Sequence, residues 1–170
     1  LAVPNTVHFS RAFTPYGPLH SDKVAGWAFI VMRAHLGAGA QRLPQNQERL
    51  LRMTNRNPWQ ITREVGFAPA APGVQWIEEP DIRNDQGLYV RTLVMAPGAV
   101  TLTPDHSVGD GQYLVVTAGS LVHAGREHVA PALAFLRPCD SALRIEAGPQ
   151  GLTGVVLNFP RAGAHLRSAH

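Results

Sequence analysis

The sequence predicts an all-β protein, a small antiparallel barrel or sandwich, and three features predict it. Between Val74 and Phe159, apolar runs are cut by Gly and Pro turn signals roughly every 8–12 residues. In LYVRTLVM, Leu88, Val90, Thr92 and Val94 alternate with Tyr89, Arg91, Leu93 and Met95. That is the period of two of a strand whose outer face is also covered in part. Only residues 41–53, QRLPQNQERLLRM, are rich in helix formers.

Composition bounds the rest. A chain of 170 residues suffices for one well-packed domain. With 45% hydrophobic and 16% charged residues, its 16 Gly and 14 Pro mean turns and not disorder. The single Cys139 excludes an internal disulfide and a CxxC pair, and is expected to be a small buried hydrophobe. No apolar run reaches the ~18 residues of a membrane span. A net charge of +3, with no zinc-finger or helix-turn-helix spacing, argues against a nucleic-acid partner. A cytoplasmic location is the expectation. An exported one stays open, because the chain starts at Leu1 and the natural start is expected to be missing.

In chain order, Val3, Val7 and Phe9 suit a short edge strand, and YGPL (16–19) a turn. VAGWAFIVM (24–32) predicts a strand buried on both faces. Residues 41–53 predict the one short helix, with Pro44 in its first turn and Glu48 reaching Arg52. Its many arginines read as a solvated flank. WQITREVGF (59–67) predicts a strand and APAAPG (68–73) a linker. VQWIEE (74–79) opens the barrel and PDIRNDQG (80–87) turns it. Strands then follow in LYVRTLVM, AVTLT, QYLVVT, SLVHA, 128–130, ALAFLR, SALRIEA and GLTGVVLNF, with a tight Ala118-Gly119-Ser120 turn in between. About eight strands are expected from Val74 onward. Three regions result: an arm, strand and short helix (1–70) packing on the barrel or on a partner subunit, the barrel (71–160), and a polar tail (161–170).

The spacing of glycines carries a resemblance. Gly98 is followed after five residues by Pro104-Asp105-His106, and Gln112 stands six residues before Gly119. Gly125 is followed after five residues by Pro131, then Leu133, Leu136 and Asp140. This skeleton resembles the two motifs of the cupin superfamily, the RmlC-like small jelly roll or double-stranded β-helix. The resemblance implies a cupin-like barrel that pairs as a homodimer. It also implies that Pro104, His106, Gln112 and Leu136 occupy the places of the family's four metal ligands. One imidazole and one neutral amide remain, whereas first-row metals need about three good donors.

No metal or other cofactor is therefore expected. The alternative assembles His106, Asp110, Gln112, His123 and His128 around Fe, Mn, Ni or Zn, with the Gly125 turn bringing His123 and His128 together. An Asp105–His106 acid/base pair is disfavoured, because neighbours in a strand face opposite ways. If Gln112 faces inward, so do Leu114 and Val116, and Tyr113 faces out, which leaves an apolar, tight interior. The aromatic residues Trp27, Trp59, Trp76, Tyr89, Tyr113, Phe135 and Phe159 read as core before they read as a pocket lining. The function expected is a metal-poor cupin-like protein that binds a small molecule or serves as a structural module. The alternatives are a metal-dependent dioxygenase, isomerase or lyase, and a regulatory or protein-interaction domain.

Overall fold

The computed structural model describes residues 5–17, 29–33, 42–53 and 58–161. Strand β1 (Thr6–Ser10) pairs antiparallel with β2 (Gln60–Glu64) in a sheet of their own. Their apolar side chains, Val7, Phe9 and Ile61, pack with Val65, Ile82 and Val90 against the barrel's outer face. Helix α1 covers only Gln47–Leu51, shorter than the stretch 41–53 predicted. None of its residues is buried, so no apolar face anchors it, and a helix this short depends on such packing. The expected Glu48–Arg52 pair forms at 3.3 Å, with both side chains in solvent, where such pairs contribute little.

The strand expected at 24–32 lies partly outside the described residues. Its remainder corrects the expectation: Phe29–Met32 joins neither sheet, and Phe29, Ile30 and Val31 are exposed. Apolar composition marks what a strand is made of, but pairing needs a free neighbour.

Residues 74–158 form the barrel from β3 (Val74–Arg83), β4 (Tyr89–Met95), β5 (Val100–Leu102), β6 (Gln112–His123), β7 (Arg126–Val129), β8 (Ala132–Leu136) and β9 (Arg144–Asn158). All pairings are antiparallel. One half runs β3-β4-β9-β6-β8, using the C-terminal part of β9 and the N-terminal part of β6. The other runs β5-β9-β6-β7, using the opposite parts of the same two strands. The fold is an all-β, cupin-like jelly roll with a single short helix among the described residues.

Seven strands, rather than about eight, make the barrel. The sequence breaks β6 at Ala118-Gly119-Ser120 and splits β9 into two, yet both strands continue through. The register steps from Gly119↔Leu152 to Leu121↔Ala147, so Ser120 opposes the four residues 148–151. This bulge bends both strands from one half into the other. Glycine is required there. Gly119 has φ +70, and a Cβ on it would collide with the carbonyl of Gly151.

The turn predicted from Pro80 is likewise displaced: β3 continues to Arg83 through an irregular register after Glu78. The chain reverses at 84–87, where Asn84 Oδ1 accepts from the backbone N–H of Gln86 at 3.0 Å and of Leu88 at 2.9 Å. Cys139 is exposed, not buried. Asp140 accepts from Arg137 N at 2.7 Å and from its guanidinium, closing a tight turn that displays the intervening residues.

Alternation in β4 holds as read. Leu93 and Met95 point into the barrel with Leu114, Val116, Ile145 and Val156, while Leu88 and Val90 face the arm. Burying each such side chain contributes on the order of 2 kcal/mol.

Replacing Gly119 with Ala should cost about 3 kcal/mol, the left-handed penalty plus overlap with the Gly151 carbonyl. Gly125 has a similar φ of +73 but open space around its Cβ position, so Gly125→Ala should cost only about 1 kcal/mol. Chemical denaturation of both variants measures the difference, and equal losses would refute the bulge reading.

Candidate functional site

Register places four residues in one row across the first half of the barrel. Tyr89 on β4 opposes Asn158 on β9, Asn158 opposes Gln112 on β6, and Gln112 opposes Leu136 on β8. They share the inward face of Leu93 and Leu114. Gln112 is wholly buried, and Asn158, His106 and Leu136 are nearly so.

The loop from Thr103 to Gly111 covers this row. Thr103 N donates to Leu143 O at 2.9 Å, and Thr103 Oγ1 accepts from Leu143 N at 3.0 Å. Gln112 Nε2 donates to the Tyr89 hydroxyl at 2.6 Å and to Pro104 O at 3.1 Å. The Tyr89 hydroxyl in turn donates to Asp105 O at 2.8 Å. His106 Nε2 faces Asp140 O at 3.2 Å, and its Nδ1 lies 3.5 Å from Pro104 O. Both ring nitrogens thus face carbonyl acceptors.

Burial pushes the Tyr89 hydroxyl up to about 12, against the lowering influences of Arg91 and Gln112. The Asp105 carboxyl turns outward and is held below its usual value, first by the N–H of Ser107, whose nitrogen lies 2.9 Å from Oδ1. It caps its own loop and does not orient the His106 ring. Asp140 is lowered by its bonds to Arg137.

Three buried oxygens have no protein donor: Gln112 Oε1, Asn158 Oδ1 and Asp110 Oδ2. Asn158 Nδ2 is used by Gly87 O at 2.6 Å. Unpartnered buried acceptors are uncommon and mark a place where a donor is accommodated.

The metal-ligand places fail a donor test. Pro104 and Leu136 have nothing to coordinate with, the His106 nitrogens face carbonyls, and Gln112 offers one amide oxygen. These residues do not fit a first-row transition metal. The wider set does not assemble either. His123 lies at the far end of β6, eleven residues from Gln112, roughly 36 Å along the strand path. His128 pairs opposite Leu121 in the other half, and both imidazoles are exposed. Among the described residues, no three His, Cys, Asp or Glu side chains are grouped so as to hold a metal ion.

The aromatic residues divide. Tyr89 and Trp76 pack toward the interior, while Phe9 lies 5.7 Å from Trp59 and 6.3 Å from Phe159. Tyr113 lies 5.8 Å from Phe159 and 4.7 Å from Phe135. That chain of rings fastens the arm to the outer face; Trp27 lies outside the described residues. Sequence reasoning missed the site roles of Tyr89 and Asn158. Tyr89 was visible as a polar residue on one side of an apolar alternation, and Asn158 as the polar end of GLTGVVLN.

No protein-family model and no curated protein matches the sequence. Solved structures similar in fold include the cupin domain of an XRE-family transcriptional regulator from Enterobacter cloacae, 13% identical, covering 52% of this chain and 99% of that one, with TM-score 0.40. KdgF from a Halomonas species is 18% identical, over 58% and 91%, with TM-score 0.38. A protein of unknown function with a cupin-like fold from Ralstonia eutropha is 17% identical, over 50% and 53%, with TM-score 0.35.

Tyr89→Phe removes the hydroxyl that links Gln112 to Asp105 O, and should lower stability by about 1–2 kcal/mol. The phenolate absorbance lost in that variant should emerge in the wild type only near pH 12. Because the folded pKa lies above the ordinary 10.0, the contribution is fully present below pH 10 and is lost as pH rises toward 12. Spectrophotometric titration of the two proteins tests both statements.

Proposed function

We propose that this chain is a metal-independent, cupin-like structural module that works through its outer surface and pairs with a second copy. The observation that carries this reading is the use of the ligand places for internal hydrogen bonds. Gln112 holds the covering loop at Pro104 O while bonding Tyr89, and His106 of the loop faces Asp140 O. The interior behind them is filled by fully buried side chains such as Leu93, Leu114, Ile145 and Val156.

Pairing is supported by the surface. On the outer face of edge strand β8, Leu133 and Phe135 are 49% and 38% exposed. The Tyr113 hydroxyl donates to Arg33 O at 3.0 Å on the same face, and the exposed Phe29, Ile30 and Val31 precede that residue. An exposed apolar edge of this kind marks an association surface.

A second reading, binding of a small molecule inside the barrel, is favoured by the unpartnered oxygens Gln112 Oε1 and Asn158 Oδ1. They would accept from a ligand carrying N–H or O–H groups, once the 103–111 loop opens. No helix among the described residues is long and apolar enough to cross a membrane.

Elemental analysis of protein purified without chelator should find no stoichiometric iron, manganese, nickel or zinc. Chelator should leave the melting temperature within about 1 °C, since only a bound ion links stability to its removal. Near-stoichiometric metal lost on His106→Ala would overturn the reading. Sedimentation at micromolar concentration should give the mass of two chains for the wild type and of one for Phe135→Asp. A wild-type monomer would refute the pairing.

A further inference from the structure

Arg91 occupies an inward position of β4, the face on which Leu93 and Met95 are core. Its guanidinium is held in place rather than waving in solvent. It lies over the Tyr89 ring, with Cζ 5.1 Å from the centroid, and that ring is itself fixed through its hydroxyl to Asp105 O and Gln112. Nη2 donates to Glu78 Oε2 at 3.0 Å, while Nε is buried with no protein partner. Nε and Nη2 form the edge with which a guanidinium grips a carboxylate through two parallel bonds. Glu78 fills one prong of that edge and leaves the other unused.

The reason lies in Arg83. Glu78 Oε1 pairs with Arg83 Nη1 at 3.0 Å, so one carboxylate is split between two cations. Residues 78 and 83 are an odd number apart and in a regular strand would face opposite ways. The irregular register between them brings both to one side. The cluster carries two positive charges and one negative. Its side chains are 35%, 64% and 33% exposed for Arg91, Arg83 and Glu78, so solvent reaches it without opening the barrel.

We propose that Arg83 and Arg91 form a binding site for a small organic carboxylate at the β3–β4 edge, with Glu78 as the internal competitor that the ligand displaces. The ligand carboxylate takes both prongs of the Arg91 edge, and Glu78 relaxes onto Arg83. The site meets the covered row only through Tyr89 and does not depend on the function proposed above.

Benzoate, with benzamide as its neutral counterpart, tests the assignment by calorimetry at fixed ionic strength. Saturable binding of benzoate and none of benzamide is expected. Arg91→Gln should weaken it by at least about tenfold and Arg83→Gln by less, in keeping with charge-assisted bonds. Glu78→Gln should tighten it several-fold, an effect that a purely structural ion pair would not produce. Benzamide binding as well as benzoate, unchanged or weaker binding in Glu78→Gln, or inorganic phosphate binding more tightly than benzoate would each overturn the proposal. If Arg91→Gln does not fold, Arg83→Gln and Glu78→Gln decide the matter alone.

Discussion

The barrel rests on two long strands, β6 and β9, that lie side by side and leave one half of the structure for the other together. Every other barrel strand pairs with one of these two, except β3, which reaches β9 through β4. The geometry demands that both backbones bend at the same level. Gly119 and Gly151 meet that demand, because each sits in a positive-φ conformation with a carbonyl where its Cβ would be. The bend decides which face of each strand segment is inward, and hence which residues share the polar row.

At one end of the barrel, hydrogen bonds perform the cross-linking that coordination performs in a metal centre. Gln112 and His106 stand at positions that the cupin resemblance assigns to ligands, and both are committed to oxygen acceptors of the chain itself. The loop is thereby fixed by the chain's own groups, with Tyr89 kept protonated by its burial. Such a closure needs no ion, and it leaves the amide oxygens of Gln112 and Asn158 without a donor.

Much of this was legible in the sequence. The alternation of LYVRTLVM sorted its residues into the two faces that the structure shows, without naming which is the barrel's, and the place of Gln112 predicted that Leu114 and Val116 face inward with Tyr113 outward. Glycine was the point of failure. In local sequence a glycine that bends a strand is identical to one that ends it, so Gly119 and the 148–151 segment read as turns. The distinction lies in register with a strand some thirty residues away, which no short window contains. Pro80 misled for the same reason, since an edge strand tolerates a proline. Of the row, Gln112 and Leu136 were named from the sequence, whereas Tyr89 and Asn158 were missed because only strand pairing joins them to Gln112. The exposure of Cys139 turns on the Arg137–Asp140 contact, which composition does not reveal.

The position of β9 also sets the order in which the chain can assemble. The β3–β4 and β6–β7 hairpins close over short loops, so they can form early and independently. β9 must then find β4, β5 and β6 across most of the barrel sequence, and long-range pairings of this sort are entropically slow. Until the last strand arrives, β4 and the first half of β6 each lack a neighbour, and the ring of Phe159 is not there to receive Phe9. A chain released before β9 is made would expose those unpaired edges together with the apolar face they carry, and its hazard would be aggregation through the very strands that later form the centre of the barrel.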